Sequence, residues 1–195
     1  MSNDDEVLRA FIAIEISESS RDAAARLQEQ WKKTGAHVGW VAPANLHLTL
    51  VFLGETFQAR VGELAFVMDA VCSDVSPFSY ELGGTGFFGS PRAPRVLWMG
   101  VQDVEGRMQL LQQRLAESVQ ALGFKLEKRP FSPHLTLGRV RSGRRSDELT
   151  SAIASDNNTP FGKVGVRRVL LMKSHLEHQG VHYSMLHESE LKGGV

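Results

Sequence analysis

Apolar positions alternate over residues 9–16 (RAFIAIEI), around Phe11, Ile12, Ile14 and Ile16, and this predicts a strand. Ser17, Ser19 and Ser20 then offer N-caps for a helix that runs to about Thr34 and carries Ala24, Leu27 and Trp31 on one face, with Gly35 ending it. Residues 46–53 (LHLTLVFL) predict a second strand, closed by Gly54. Val61, Leu64, Ala65, Met68 and Val71 recur at helical spacing within 58–72. A strand is expected over about 78–88, a loop at 89–94 (GSPRAP) and a further strand at 95–101. The longest helical pattern spans 104–122, with Val104, Met108, Leu111, Leu115, Val119 and Leu122 on its apolar face and Gly123 as its C-cap. Residues 131–140 (FSPHLTLGRV) predict another strand, and a polar stretch at 141–160 holds a short helix around 146–155. Two alternating runs, about 164–173 and 181–188, predict a terminal hairpin turning at Gly180.

The order strand, helix, HLTL strand occurs twice. The two motif histidines, His47 and His134, lie 134 − 47 = 87 residues apart. Two copies at this period imply two related units. The expected fold is α+β, with two pseudo-symmetric lobes, each an antiparallel sheet backed by helices, around a central cleft. Residues 1–195 then form one bilobal domain, with the two HLTL strands facing each other across the cleft.

Alternation also says what the repeated tetrapeptide presents. On a strand, His47 and Thr49 point to one face and Leu48 and Leu50 to the other, and His134 and Thr136 oppose Leu135 and Leu137 in the same way. Two imidazoles and two hydroxyls therefore meet one cavity. Such a set suits phosphodiester cleavage: one imidazole draws a proton from water, and the other, as imidazolium, protonates the departing oxygen. The threonine hydroxyls can hold the non-bridging oxygens. A lone strand histidine is more often structural, but an identical His/Thr pair in two matching contexts is hard to explain as packing, because a buried imidazole needs partners. No metal is expected, since no H-E-x-x-H, C-x-x-C or carboxylate cluster completes a ligand shell.

Composition narrows the class. Hydrophobic residues make up 42% of the 195 and charged residues 23%, which is enough for a sizeable core. The single cysteine, Cys72, forms no intrachain disulfide and reads as an inert thiol. Basic and acidic side chains balance at 22 each, so a small ligand or a nucleic-acid end is favoured over a long duplex. The first residues, MSNDDEV, lack the features of a signal peptide, and no run is long enough to span a bilayer. A cytoplasmic, membrane-free monomer is expected.

The chain resembles the 2H phosphoesterases, in particular the bacterial and archaeal RNA 2′,3′-cyclic phosphodiesterases, also called 2′-5′ RNA ligases. The segments that carry the likeness are RAFIAIEI, WVAPANLHLTLVFLGE (40–55), GTGFFGSPRAPRVLWMGV (84–101), FSPHLTLGRV and LLMKSHLEHQGVHYSMLHESEL (170–191). The resemblance implies hydrolysis of a 2′,3′-cyclic phosphate, on an RNA 3′ end or a nucleoside, to a 2′-phosphate without a cofactor, and in reverse a 2′-5′ joining of RNA ends. It makes His47 the proton donor to the leaving 3′-oxygen, His134 the proton acceptor from water, and Thr49 and Thr136 the phosphate holders. It also assigns Phe52 and Arg139 to the terminal base, stacked between ring and guanidinium. Alternation opposes that assignment, because each lies five residues past its histidine and an ideal strand turns it away from the cleft. A bulge, twist or strand end is required, and Gly138 could permit one.

Other features stay open. Arg139, Arg141, Arg144 and Arg145, with Arg92 and Arg95 around the Gly/Pro loop, either draw an RNA end toward the cleft or form a solvated surface. Pro133 holds Ser132 extended at the entry to the catalytic strand. His175, His178, His182 and His187, spaced by 3, 4 and 5, share no strand face and read as surface or structural. Trp40 and Trp98 read as core or cleft-wall aromatics. The competing functions are a 2H enzyme acting on another cyclic phosphate, such as ADP-ribose 1″,2″-cyclic phosphate or a tRNA-ligation intermediate, and a non-catalytic module that binds RNA ends.

Overall fold

A computed structural model describes residues 5–127, 129–177 and 180–193. Among these, nine strands and four α-helices alternate: β1 (Val7–Glu15), α1 (Glu18–Lys32), β2 (Val38–Trp40), β3 (His47–Phe57), α2 (Val61–Ser73), β4 (Phe78–Ser90), β5 (Ala93–Gln102), α3 (Arg107–Ala121), β6 (His134–Val140), α4 (Ser146–Ala154), β7 (Pro160–Val166), β8 (Arg168–Glu177) and β9 (Gly180–Glu190). Every strand pairing is antiparallel. The α+β class and the paired halves are as the sequence predicts.

The halves are not separate sheets. One sheet runs β7-β4-β5-β6-β3-β1-β8-β9, with β2 also on β6. The halves join where β3 meets β6, at the pair Leu48↔Leu135. The two HLTL strands are therefore neighbours in the middle of one sheet, not walls on opposite sides of a gap. Both leucines are fully buried, and they belong to one continuous apolar core that also takes in Ile12, Trp31, Leu64, Met68, Leu111 and Leu115.

The helices interleave the halves. α1 follows β1 but packs on β7 and α4 of the other half, whereas α3 follows β5 and packs on β3 and α2. The core side of α1 also carries polar groups aimed at the central strands. Gln28, only 3% exposed, donates from Nε2 to the carbonyls of Val41 (2.7 Å) and Leu137 (2.8 Å). Arg21, seven residues earlier and thus two turns away along the same side of the helix, donates from Nη1 to Pro43 (3.1 Å), Ala44 (3.3 Å) and Leu46 (3.4 Å), in the turn that enters β3.

Several boundaries differ from the pattern, each for a local reason. The helix expected from 104 begins at Arg107, because Gly106 is left-handed (φ 67°) and the Asp103 carboxylate caps the N–H groups of Arg107 and Gln109. Val104 is left outside it, 89% exposed. The strand expected from 131 begins at His134. The run at 164–173 breaks at Arg167 into β7, at one edge of the sheet, and β8, in the other half. The β8–β9 hairpin forms as expected, closing on Glu177↔Gly180. The 89–94 loop shrinks to a tight turn, since β4 continues to Ser90 and β5 resumes at Ala93. Cys72 is buried, which pushes its thiol up to about 12, so it is unreactive at neutral pH.

The Gln28 contacts give a test. Replacing Gln28 with Met keeps the volume and removes both donors from buried carbonyls, so unfolding free energy should fall by about 1–3 kcal/mol. Urea denaturation measures this. A loss no larger than that of a surface substitution would show that the two hydrogen bonds do not brace the strands.

Candidate active site

Each motif histidine is held by the backbone just before it. His47 Nδ1 is 2.8 Å from the Asn45 carbonyl, and His134 Nδ1 is 2.7 Å from the Ser132 carbonyl. A carbonyl only accepts, so Nδ1 carries the hydrogen and donates in both cases, which leaves Nε2 to face outward. The repetition of this i−2 bond makes the two sites equivalent in backbone as well as sequence. The antiparallel register through Leu48↔Leu135 then sets His47 beside Thr136 and Thr49 beside His134. All four are partly exposed, whereas the intervening leucines are buried.

The register also resolves Phe52 and Arg139. On β3, Thr49 pairs with Ala13 and Val51 with Ile12, so Leu50 has no opposite residue. On β6, Thr136 pairs with Trp98 and Gly138 with Leu97, so Leu137 has none. A bulge thus sits at the fourth position of each HLTL. Two successive residues then face the core, Leu50 with Val51 and Leu137 with Gly138, and the alternation is inverted beyond them. Phe52, 56% exposed, and Arg139, also exposed, come out on the same face as the histidines. The Leu137 carbonyl, released from the ladder, accepts from Val41 N–H (3.0 Å) as well as from Gln28.

Aromatic rings that the sequence does not single out wall the histidines. Phe11 stacks on His47 (centroids 4.7 Å apart, 27° between planes), and Tyr183 meets the same imidazole edge-on at 4.9 Å. Tyr183 also meets Phe11, at 5.1 Å. Phe88 lies edge-on to His134 at 4.8 Å and near Trp98 at 5.8 Å. Trp98 lies flat over Gly86, where a Cβ would stand 2.3 Å from the ring, and Trp40 packs against the core over Gly138. A recess of about 90 Å³ opens beside His47, between Ala13, Asn45, Leu170, Met172 and Tyr183. The larger cavity, about 570 Å³, lies at the ends of β1, β7 and β9 and has no histidine in its lining. There Arg168 is already paired with Glu15 and Glu188.

Burial lowers the pKa of both motif histidines from the usual 6.5. The Asn45 and Ser132 carbonyls oppose that effect, while the charges of Arg21 at His47 and Arg139 at His134 add to it. Both rings are therefore mainly neutral at pH 7 in the empty protein. Burial raises Tyr183, which keeps its phenol protonated. Among the described residues, no three His, Cys, Asp or Glu side chains are placed to share a metal ion, and no helix is long and apolar enough to cross a membrane.

Among the described residues, His175, His182 and His187 lie apart from this site. His175 stacks on His182 at 4.4 Å and bonds Ser184, while His187 bonds Asp69. His178 falls outside the described residues.

Comparison with known proteins agrees with this architecture. The family model of the 2′-5′ RNA ligase superfamily matches residues 20–177. The RNA 2′,3′-cyclic phosphodiesterase of Methanothermobacter thermautotrophicus is 35% identical, covering 91% of this chain and 95% of its own. That of Thermotoga maritima is 32% identical, covering 96% and 98%. A Thermus thermophilus protein, TT0787, superposes with a TM-score of 0.80 at 26% identity over 96% of this chain and 100% of its own. E. coli LigT solved with 3′-AMP gives 0.74 at 25% identity over 95% and 99%. The chain belongs to the 2′-5′ RNA ligase superfamily, alongside relatives named RNA 2′,3′-cyclic phosphodiesterase.

Proposed function

We propose that this protein hydrolyses 2′,3′-cyclic phosphate ends of RNA, and nucleoside 2′,3′-cyclic phosphates, to 2′-phosphomonoesters. The observation that carries the proposal is the pair of imidazoles on adjacent central strands, each with Nδ1 tied to the i−2 carbonyl and Nε2 turned to the same open face. Relatives of that name match nearly the whole chain, and a relative of the same fold binds 3′-AMP, which supports a nucleotide end as ligand.

In this mechanism, neutral His134 takes a proton from water as the water oxygen attacks phosphorus. The P–O3′ bond breaks, and the His47 imidazolium delivers its proton to O3′. The phosphate remains on O2′, and the two histidines exchange protons with solvent before the next turnover. Thr49 and Thr136 hold the non-bridging oxygens. Assignment of the acid to His47 follows the family resemblance, and the face of Phe11 offsets in part the burial and the Arg21 charge that disfavour the cationic ring. Both proton transfers use side chains alone. With the 5′-hydroxyl of a second RNA in place of water, the same transfers join the two ends through a 2′-5′ linkage. Phe52 and Arg139 stack the terminal base between them.

The first test is turnover of an oligoribonucleotide ending in a 2′,3′-cyclic phosphate, with excess EDTA present. The expected product is the 2′-phosphate, and His47→Ala and His134→Ala should each lower kcat by about 10²–10⁴-fold. Activity abolished by EDTA, or a 3′-phosphate product, would refute the mechanism as written.

The pH profile is a second test. Each imidazole in the empty protein loses its proton below the ordinary 6.5, so the imidazolium donor grows scarce as pH rises. kcat/KM should therefore fall with pH from 6.5 upward, approaching about tenfold per pH step, while kcat, which reports the complex with the anionic phosphate, holds to higher pH. A kcat/KM that stays level to pH 8 would contradict a proton donor of lowered pKa.

Phe52→Ala and Arg139→Ala act on the base and not on bond breaking. Each should raise KM for a nucleoside cyclic phosphate by roughly tenfold, the size of one base-stacking contact, with kcat nearly unchanged. A loss confined to kcat would remove these residues from base binding.

A further inference from the structure

We propose that Arg141, beside Arg139 on the open face and joined by Arg144, forms a track for backbone phosphates of the RNA upstream of the cyclic end. This rests on the reading of the substrate as an RNA end.

Three observations carry it. Gly39 pairs with Arg139 across β2 and β6, and Arg141, two residues on, shares the face of Arg139. A Cβ at Gly39 would stand 2.7 Å from Arg141 Nε and 3.0 Å from Nη2. The glycine therefore leaves the place that the guanidinium occupies. It does not serve backbone freedom, since Gly39 is not among the positive-φ residues. The Arg141 N–H donates to the His37 carbonyl at 2.8 Å and fixes the backbone from which this side chain springs.

Charge is the second observation. Arg139, Arg141 and Arg144 are exposed, and none forms an ion pair among the described residues. One other arginine of the group separates from them: Arg145 pairs with Glu148.

The third is the broken symmetry. The counterpart of Arg141 in the other half, 87 residues earlier, is Gly54, followed by Glu55 opposite Arg9. One half thus offers a run of cations that form no ion pair among the described residues, and the other a glycine followed by an acidic residue with an arginine opposite it. A polyanion leaves over the β6 side.

The test compares a hexaribonucleotide ending in a 2′,3′-cyclic phosphate with a nucleoside 2′,3′-cyclic phosphate. Arg141→Ala/Arg144→Ala should raise KM for the hexamer roughly tenfold and leave the nucleoside unaffected. The slope of log kcat/KM against log salt for the hexamer should shrink by about 0.7 for each phosphate that is no longer neutralised. Gly39→Val, which keeps both arginines but displaces the guanidinium, should also raise the hexamer KM. Equal losses on both substrates, or an unchanged salt slope, would overturn the track. A wild-type protein that turns over neither substrate would overturn the activity instead. In that case, fluorescence anisotropy of a labelled hexamer, weaker for the double variant than for wild type if the track exists and equal if it does not, still decides.

Discussion

The geometry of this protein hangs on one pairing, the antiparallel contact of β3 with β6 through Leu48 and Leu135. It joins the two halves of the sheet and fixes which way each motif faces. It also sets the distance between two imidazoles that lie 87 residues apart in sequence. Both leucines are inaccessible to solvent, so the contact that sets the two histidines side by side on one face is apolar core on the other. A short register of this kind needs reinforcement, and α1 provides it. Through Arg21 and Gln28, one helix grips the turn entering β3 and the bulged carbonyl of β6. Because α1 belongs by sequence to one half and packs on the other, neither half can shift alone without breaking these bonds.

The bulges show how a repeated strand can meet two demands. Strict alternation would send Leu137 and Arg139 to one face, and the core needs Leu137. Adding one residue to each central strand lets two core residues follow one another and returns the next side chain to the open face. Gly138 suits this arrangement because Val38 and Trp40 fill the space where its side chain would be.

Much of this is legible in the sequence, because it rests on short-range periodicity. Period-two alternation reveals His47, Thr49, His134 and Thr136 and their leucine anchors, and the strand–helix–strand echo reveals the two halves. Phe52 and Arg139 are legible only as a conflict between likeness and alternation, which the bulges settle geometrically. What stays hidden depends on long-range contact. Phe11 looks like any strand apolar residue, and Tyr183 lies 136 residues from the imidazole that it walls (183 − 47). Gln28 falls within the stripe of Ala24, Leu27 and Trp31, so helical spacing turns it to the core, but its acceptors, 13 and 109 residues away, have no local signal. The split at Arg167 coincides with the pair Arg167-Arg168, which interrupts the alternation, but nothing local says that the chain passes there from one half of the sheet to the other.

The walls of His47 have a consequence for the order in which the protein comes into being. Both HLTL motifs are translated by residue 137, yet the ring that closes over His47 comes from β9, the last strand, and that strand reaches its place only by pairing with β8. Asn45, whose carbonyl holds the imidazole, is itself anchored by its side chain to Val181 at the start of the same strand. A growing chain therefore possesses both motif histidines well before it possesses the wall and the anchor that β9 supplies to His47. His134 has its wall in Phe88, earlier in the chain, whereas His47 gains the edge of Tyr183 only once the final hairpin is docked.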